Sequence, residues 1–475
     1  MATFTTDTVE AAGAGATAEP AAPRLPSSSL FLYALPTIPI AALLFPIGFF
    51  LPPFFTGELG LSLNAWALIL FIARVWDIGT DPVVGIVCDR LPSRWGRRRH
   101  WLVIGTPLLM AGCLLLFIPQ LFVERMTLVY ALVALCLLQL GQTIYGLNQS
   151  AWGAELSDDY FERSRIQGWR AAVGGVAPLV AFGIPMVIER TSDAPEVANG
   201  EKLFYIALFV LVTLPVFTTL AVGFVKERSS RVASGLAARL GLRESWWRLI
   251  RNRIMLRLIV IDVFAALPFS IATAINFFYV AYVLEAPAVM SSVLVVVFIV
   301  GLASMPMWVR ISQRFEKHRI LTVAYLVGAA LSTLLALLGP GDVIAYAVIA
   351  CALAVFTSGP MFILRSIVAD VVDSDIVDTG EERAGTFYAL VEMTAKFAPA
   401  IAVPLVFPFL TWMGFDPALG LDNSPTAIAA LKYAFVLFPP IPMLIAAYLL
   451  HTFPLGRSEQ EALREQIERV HGRRD

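Results

Sequence analysis

Asp77 and Asp81 stand four residues apart in the stretch Arg74-Val75-Trp76-Asp77-Ile78-Gly79-Thr80-Asp81-Pro82, inside a segment apolar enough to lie in a bilayer. On a helix, residues at i and i+4 share one face, so the two carboxylates would lie about 6 Å apart. Like charges that close, away from water, repel each other and each loses hydration. The chemistry that relieves such a pair is a positive partner that comes and goes, either a proton or a metal cation. Fixed neutralisation is the competing account, and Arg74 is available for Asp77. It leaves Asp81 unexplained, so the pair reads as a cation site.

The rest of the chain says what holds that pair. Of 475 residues, 58% are hydrophobic and only 15% are charged, against about 25% charged in soluble domains. This is the composition of a membrane protein, and a net charge of −1 argues against a nucleic-acid partner. Crossing the hydrocarbon takes about 20 apolar residues. Spans are expected at 30–55, 62–88, 101–122, 127–153, 168–188, 203–225, 257–283, 288–309, 320–339, 342–370, 386–412 and 426–453. The first is the least regular: Pro36, Pro39, Pro46, Pro52 and Pro53 predict a kinked helix, lining a cavity or simply packed tightly. Cys88, Cys113, Cys136 and Cys351 fall in apolar runs and read as buried hydrophobes without disulfides.

Basic residues set the orientation. Arg90, Arg94, Arg97, Arg98 and Arg99 follow the second span, eight Lys and Arg between Lys226 and Arg253 follow the sixth, and Arg314, Lys317 and Arg319 follow the eighth. Loops on the other side offer little beyond Arg125, Arg190 and Lys202, so both termini are expected in the cytoplasm. Residues 1–29 lack a signal-peptide pattern and read as a disordered cytoplasmic tail. Residues 226–256 divide the spans into two bundles of six, 30–225 and 257–453. Within that linker, Trp246, Trp247, Leu249 and Ile250 alternate with arginines, giving either an amphipathic surface helix or a solvated linker. Residues 454–475 form the C-terminal tail. Two such bundles predict a duplicated all-α architecture, with substrate near the midplane and alternating access between halves.

The run Gly85-Ile86-Val87-Cys88-Asp89-Arg90-Leu91-Pro92-Ser93-Arg94-Trp95-Gly96-Arg97-Arg98-Arg99 closely resembles the loop signature between the second and third helices of the major facilitator superfamily. With Trp76-Asp77 and Asp81-Pro82 upstream, the chain resembles the glycoside–pentoside–hexuronide:cation symporter family, the melibiose-permease-like branch of that superfamily. Ala369-Asp370-Val371-Val372-Asp373, then Gly385-Thr386-Phe387 and Lys396, match the region of helices ten and eleven in that branch. The resemblance runs from residue 30 to about 455.

It implies that Asp77 and Asp81 ligate a coupling cation, Na⁺ or H⁺, with no other cofactor. Thr80, Thr143 and Asn148 supply further oxygens of the kind a hard monovalent ion takes. It also implies a sugar site, on which Asn148 and Trp152 fall in the fourth span: an amide for hydroxyls and an indole to stack on a pyranose. Family members that bind galactosides carry acids on helices one and four; here 30–55 has no charge and the fourth span has Asn148. A lysolipid-like or lipophilic solute is therefore the alternative, carried by cation symport or exported against protons; a related vertebrate branch carries lysophospholipids. Arg170 aligns with a cavity arginine of the family or is an interface anchor. Lys396, mid-span, needs a partner: Glu392, one turn earlier, forms a structural pair with it, or both line the cavity as substrate-binding residues, with Lys396 reaching the aspartates when the cation is absent. Asp89, Arg90, Arg94, Arg97 and Arg98 resemble the family's cytoplasmic gate, expected to form a charge network with Glu155, Asp159, Asp370 and Asp373. Asp262 and Lys432 have no assigned role.

No Ser/His/Asp set, His/Cys metal spacing or phosphate-cradling loop is present, so no enzyme chemistry is expected. The expected protein is a monomeric, multi-pass secondary transporter of the plasma or bacterial inner membrane. Its partners are a small solute, a cation and lipid.

Overall fold

The computed structural model describes residues 24–91, 93–157, 159–192, 198–227, 253–379 and 384–454. Its elements are helical, apart from an isolated bridge between Ser93 and Gly96. Among the described residues, eleven helices are long and apolar enough to cross a membrane. In chain order these are α1 (Ser27–Phe49), α3 (Arg99–Phe117), α4 (Leu128–Glu155), α5 (Arg165–Thr191), α6 (Asn199–Phe224), α7 (Arg253–Val283), α8 (Pro287–Arg314) and α9 (Lys317–Leu337), then two long helices and α12 (Pro425–His451). The two long helices are α10 (Val343–Thr379) and α11 (Ala384–Trp412), 37 and 29 residues in full. The expected second span, α2 (Leu63–Arg90), completes the set. Its 28 residues rise about 42 Å at 1.5 Å each, enough for a hydrocarbon core of about 30 Å. It carries Arg74, Asp77 and Asp81 within its length.

Local chemistry sets the boundaries. Ser62, Thr127 and Ser424 cap α2, α4 and α12 through side-chain oxygens that accept the backbone N–H groups of Ala65, Tyr130 and Ala427. The prolines of α1 break it into short helices at Pro36 and Leu43, the kinking that the sequence predicts, and a π-turn over Phe54–Glu58 follows. Helix α5 is interrupted at Gly175-Val176, between Tyr160–Gly174 and Ala177–Thr191, a break the spacing of apolar residues did not reveal. The linker positions 228–252, with the expected amphipathic helix, lie outside the described residues, as do 1–23 and 455–475.

Helices α1–α6 and α7–α12 form two halves, touching through α2 with α11, α5 with α8 and α1 with α7. The largest apolar cluster draws on both halves. From α7–α12 it takes residues such as Ile271, Phe278, Leu294, Phe407 and Phe435, which lie toward the end away from the arginine-rich loop. Nearer the arginines, the second half packs on itself around Met255, Trp308, Leu321, Leu364, Val372 and Leu450. Val84, Cys88 and Ile144 form a separate small cluster in the first half. The apolar core is thus continuous between halves at one end and divided at the arginine end.

Helices α3 and α4 show how close the packing is. A Cβ at Gly112 would lie 2.5 Å from the Leu138 Cα, and one at Gly141 would lie 2.8 Å from the Leu109 backbone nitrogen. Each glycine receives the leucine beside the other, a reciprocal fit that admits no methyl. Gly112→Ala should lower stability by about 1–3 kcal/mol through overpacking, seen as a lower Tm in detergent. An unchanged Tm would show that this interface is looser than the geometry requires.

Candidate functional site

Helix α2 delivers Asp77 and Asp81 to one face, toward α4 and α11. Thr143 of α4 sits between them, its Oγ1 3.2 Å from Asp77 Oδ1 and 2.9 Å from Asp81 Oδ1. A hydroxyl has one proton, so it donates to one carboxylate at a time. Lys396 of α11 closes the other side: Nζ lies 2.9 Å from Asp77 Oδ2 and pairs with Asp81 Oδ2. Arg74, one turn before Asp77, adds a contact of 3.2 Å to Asp77 Oδ2. Two carboxylates and two basic groups therefore meet within the membrane, and their formal charges sum to zero. The Asp77 side chain is 8% exposed, while those of Asp81 and Lys396 are 24% and 26% exposed, so water reaches the Asp81 side of the cluster. Pro82 has no N–H to return to the Ile78 carbonyl, which loosens α2 beside the acids.

The structure redraws several expected roles. Thr80 gives its hydroxyl to the Asp77 backbone carbonyl at 3.2 Å, within its own turn, and Thr143 takes the bridging position. Asn148 is fully buried and away from the acids. Its Nδ2 donates to the Ile144 carbonyl at 2.8 Å and contacts Cys88 Sγ at 3.1 Å, and its Oδ1 accepts from Arg98 at 3.5 Å. Five residues separate it from Thr143, too far along α4 for both to serve one ion. Trp152 is also fully buried, edge-on to Tyr33 with ring centroids 5.6 Å apart, so no face is open for stacking in this conformation. Arg170 donates to Ser150 Oγ at 2.6 Å. Lys396 turns across the halves to the aspartates; of the expected alternative, Glu392, only the helical backbone is described. Asp262 accepts from Thr394, and Lys432 donates to the Leu338 carbonyl at 2.6 Å.

The charged groups at the arginine end form two sets, one per half. In the first, Arg98 pairs with Asp89 at 2.7 Å and Glu155 at 3.0 Å, and Arg97 contacts Asp89 at 3.4 Å. Burial works against the Arg98 charge, but the Glu155 hydrogen bond and the charges of Glu155 and Asp89 outweigh it and raise its proton affinity above the ordinary guanidinium range. In the second, Lys317 pairs with Asp370 at 2.7 Å. Asp370 meets Lys317 of its own half. Asp159 caps the helix of Tyr160–Gly174, accepting the Glu162 N–H at 2.7 Å, because an aspartate before a helix satisfies an orphan donor. Arg90 and Arg94 are exposed, and the Asp373 side chain lies outside the described residues. Sequence reasoning missed Glu227. Its carboxylate accepts the backbone N–H groups of Arg97 and Arg98 at 2.7 and 3.0 Å, capping α3 from a distance of 130 residues. Gly96, at φ +118°, makes room for it.

Removing the Lys396 ammonium would leave Asp77 and Asp81 with Arg74 alone. Lys396→Met should destabilise the protein on the order of 3 kcal/mol in buffer without alkali cations, with partial recovery when Na⁺ is added or pH is lowered. A Tm equal to the parent's in cation-free buffer would show the cluster is not electrostatically strained.

The family model for MFS/sugar transport proteins matches residues 32–457. The sodium-dependent lysophosphatidylcholine symporter 1-A of Danio rerio is 22% identical, over 89% of this chain and 84% of its own length. The putative glycoside/cation symporter YagG of Escherichia coli is 25% identical, over 88% and 90%. Among solved structures, the inward-open xylose transporter XylE of E. coli superposes with a TM-score of 0.59 at 15% identity, covering 92% of this chain and 97% of that one, which shows a shared fold. With the paired acids on α2 and the arginine loop behind them, the chain belongs to the MFS/sugar transport protein family, in its glycoside–pentoside–hexuronide:cation symporter group.

Proposed function

We propose that this integral membrane transporter carries a small organic solute, a sugar or glycoside, in symport with a monovalent cation, Na⁺ or H⁺, bound between Asp77 and Asp81. The observation that supports this most directly is the Lys396 ammonium resting on both carboxylates from the opposite half. With Arg74 and Lys396 both in place the cluster is neutral. A further cation would leave it with an uncompensated positive charge inside the membrane, which is costly. A cation that displaces Lys396 keeps the sum at zero. Binding is thereby exchanged for a contact between the halves, and cation occupancy is coupled to their relative position. Thr143 remains as an oxygen ligand shared by either carboxylate.

The arginine end faces the cytoplasm in this proposal, with both termini there, because the basic loops after α2, α6 and α8 gather on that side. The divided core at that end and the joined core at the other fit an inward-open conformation. The Asp89–Arg98–Glu155 and Lys317–Asp370 pairs hold the inner ends of each half in shape. Asp89 lies at the exposed rim of these pairs, while Arg98, Glu155 and Asp370 are largely buried.

A second substrate reading is a lysolipid-like amphiphile. The absence of any charge in α1 favours it, since galactoside binding by acids on helices one and four has no counterpart here. The Danio rerio relative is named for such a substrate. Uptake into vesicles under imposed Na⁺ or H⁺ gradients, run over glycosides and lysophospholipids, separates the two. Asp77→Asn and Asp81→Asn should each cut gradient-driven accumulation at least about tenfold, the loss expected when a charge-assisted contact of 1.5–3 kcal/mol goes, while solute exchange at equal cation concentrations persists. Full accumulation in both variants rules out the proposed cation site.

A further inference from the structure

At the end away from the arginines, a second polar group crosses between the halves. Glu189 of α5 and Lys202 of α6 form an ion pair at 2.7 Å, with side chains only 2% and 1% exposed. Both belong to the first half. Ser291 of α8, fully buried and from the second half, donates to Glu189 Oε1 at 2.8 Å. Lys202 also lies 5.9 Å from the centre of the Phe50 ring. Glu189 Oε2 has no hydrogen-bond partner among the described residues. A buried carboxylate so incompletely satisfied is costly to keep. Ser291 donates to it from the other half through its hydroxyl, a contact made only when the halves are together at this end.

Two turns deeper on the same helices lies an aromatic layer. Phe182 of α5 stacks on Phe298 of α8 with centroids 5.3 Å apart, and Phe45 of α1 meets Phe298 at 5.2 Å and Phe182 at 5.6 Å. Seven residues separate Glu189 from Phe182 and Ser291 from Phe298. That puts the two layers about 10 Å apart along the pathway. Both are assembled from the two halves, and neither contains a residue of the Asp77–Asp81–Lys396 cluster.

We infer that Glu189, Lys202 and Ser291 form the outer gate of the transport pathway, backed by the Phe45–Phe182–Phe298 layer. The Glu189–Lys202 pair stays with its half as the gate opens, and Ser291 is the movable element that senses closure. In this role Ser291 is a positioning residue: it biases which side the substrate site faces without touching solute or cation. The inference rests on alternating access and on the arginine end facing inward, and not on which solute or cation is carried.

The test uses the full chain in right-side-out and inverted vesicles, with Cys88, Cys113, Cys136 and Cys351 replaced by alanine. A single reporter, Leu294→Cys, is placed at a buried residue one turn inward of Ser291. Its reaction rate with a membrane-impermeant maleimide reports opening at that end. Adding Ser291→Ala should raise the rate about tenfold from the outer side, the effect expected when a hydrogen bond to a charged group is lost from one conformation only. The ion pair is untouched and the smaller side chain fits. Phe298→Leu should act in the same direction, and the two together should multiply. A merely structural role would lower the Tm and leave the labelling rate unmoved. Rates within twofold of the parent for both variants would overturn the gate. A rise seen from the inner side of the vesicles would instead overturn the inward assignment of the arginine end. Because neither readout involves uptake, failure of the sugar or cation assignment leaves this result interpretable.

Discussion

Two carboxylates on one face of a membrane helix have to be compensated, and the means of compensation organises this molecule. Asp77 and Asp81 lie on α2, whose length suits a bilayer but whose charges do not. Arg74 on the same helix meets only Asp77. The balance is made by Lys396, which sits in the other half of the protein and contacts both acids. A local electrostatic requirement of one helix is thus met by a contact between the two halves. In the proposed cycle, any cation that takes over this compensation also releases that contact, so coupling follows from charge neutrality.

The apolar packing has the same division. Away from the arginine-rich loop, one cluster runs through both halves, with Phe45, Phe182 and Phe298 at its crossing point. Toward the loop, each half keeps its own core and its own ion pairs. Reciprocal fits such as Gly112 against Leu138 and Gly141 against Leu109 lie inside one half. Packing of that density joins α3 and α4 closely within the first half. The contacts between halves combine this shared apolar cluster with two polar links: Lys396 with the aspartates at mid-membrane, and Ser291 with Glu189 nearer the end.

Glu227 and Gly96 show a different economy. Three consecutive arginines, Arg97, Arg98 and Arg99, lead into α3, whose N-terminus already carries partial positive charge. The Glu227 carboxylate, just past the end of α6, accepts the N–H groups of Arg97 and Arg98, and a glycine in a left-handed conformation leaves the space. The arginine loop is therefore held both by side-chain pairs to Asp89 and Glu155 and by its backbone. Its shape is set within the first half, independent of the second.

Much of this was readable in the sequence, because periodicity and composition act over short range. Hydropathy located the spans, proline spacing located the broken α1, and the four-residue interval of Asp77 and Asp81 put both on one face. Lys396 was marked as a lysine in need of a partner. Side chains whose partners come from distant helices were not readable in this way. Asn148 and Trp152 have the residue types of a ligand site, but packing against Arg98 and Tyr33 has buried them. Asp159, expected in a gate, caps a helix N-terminus, and Asp370 pairs with Lys317. Glu227 and the Glu189–Lys202–Ser291 group lie in ordinary-looking stretches and acquire meaning only from neighbours 102 to 130 residues away. By itself the sequence determined which helices form and which charges must be answered. Only the tertiary structure decided which group answers each, because burial and hydrogen bonding depend on distances that no linear spacing encodes.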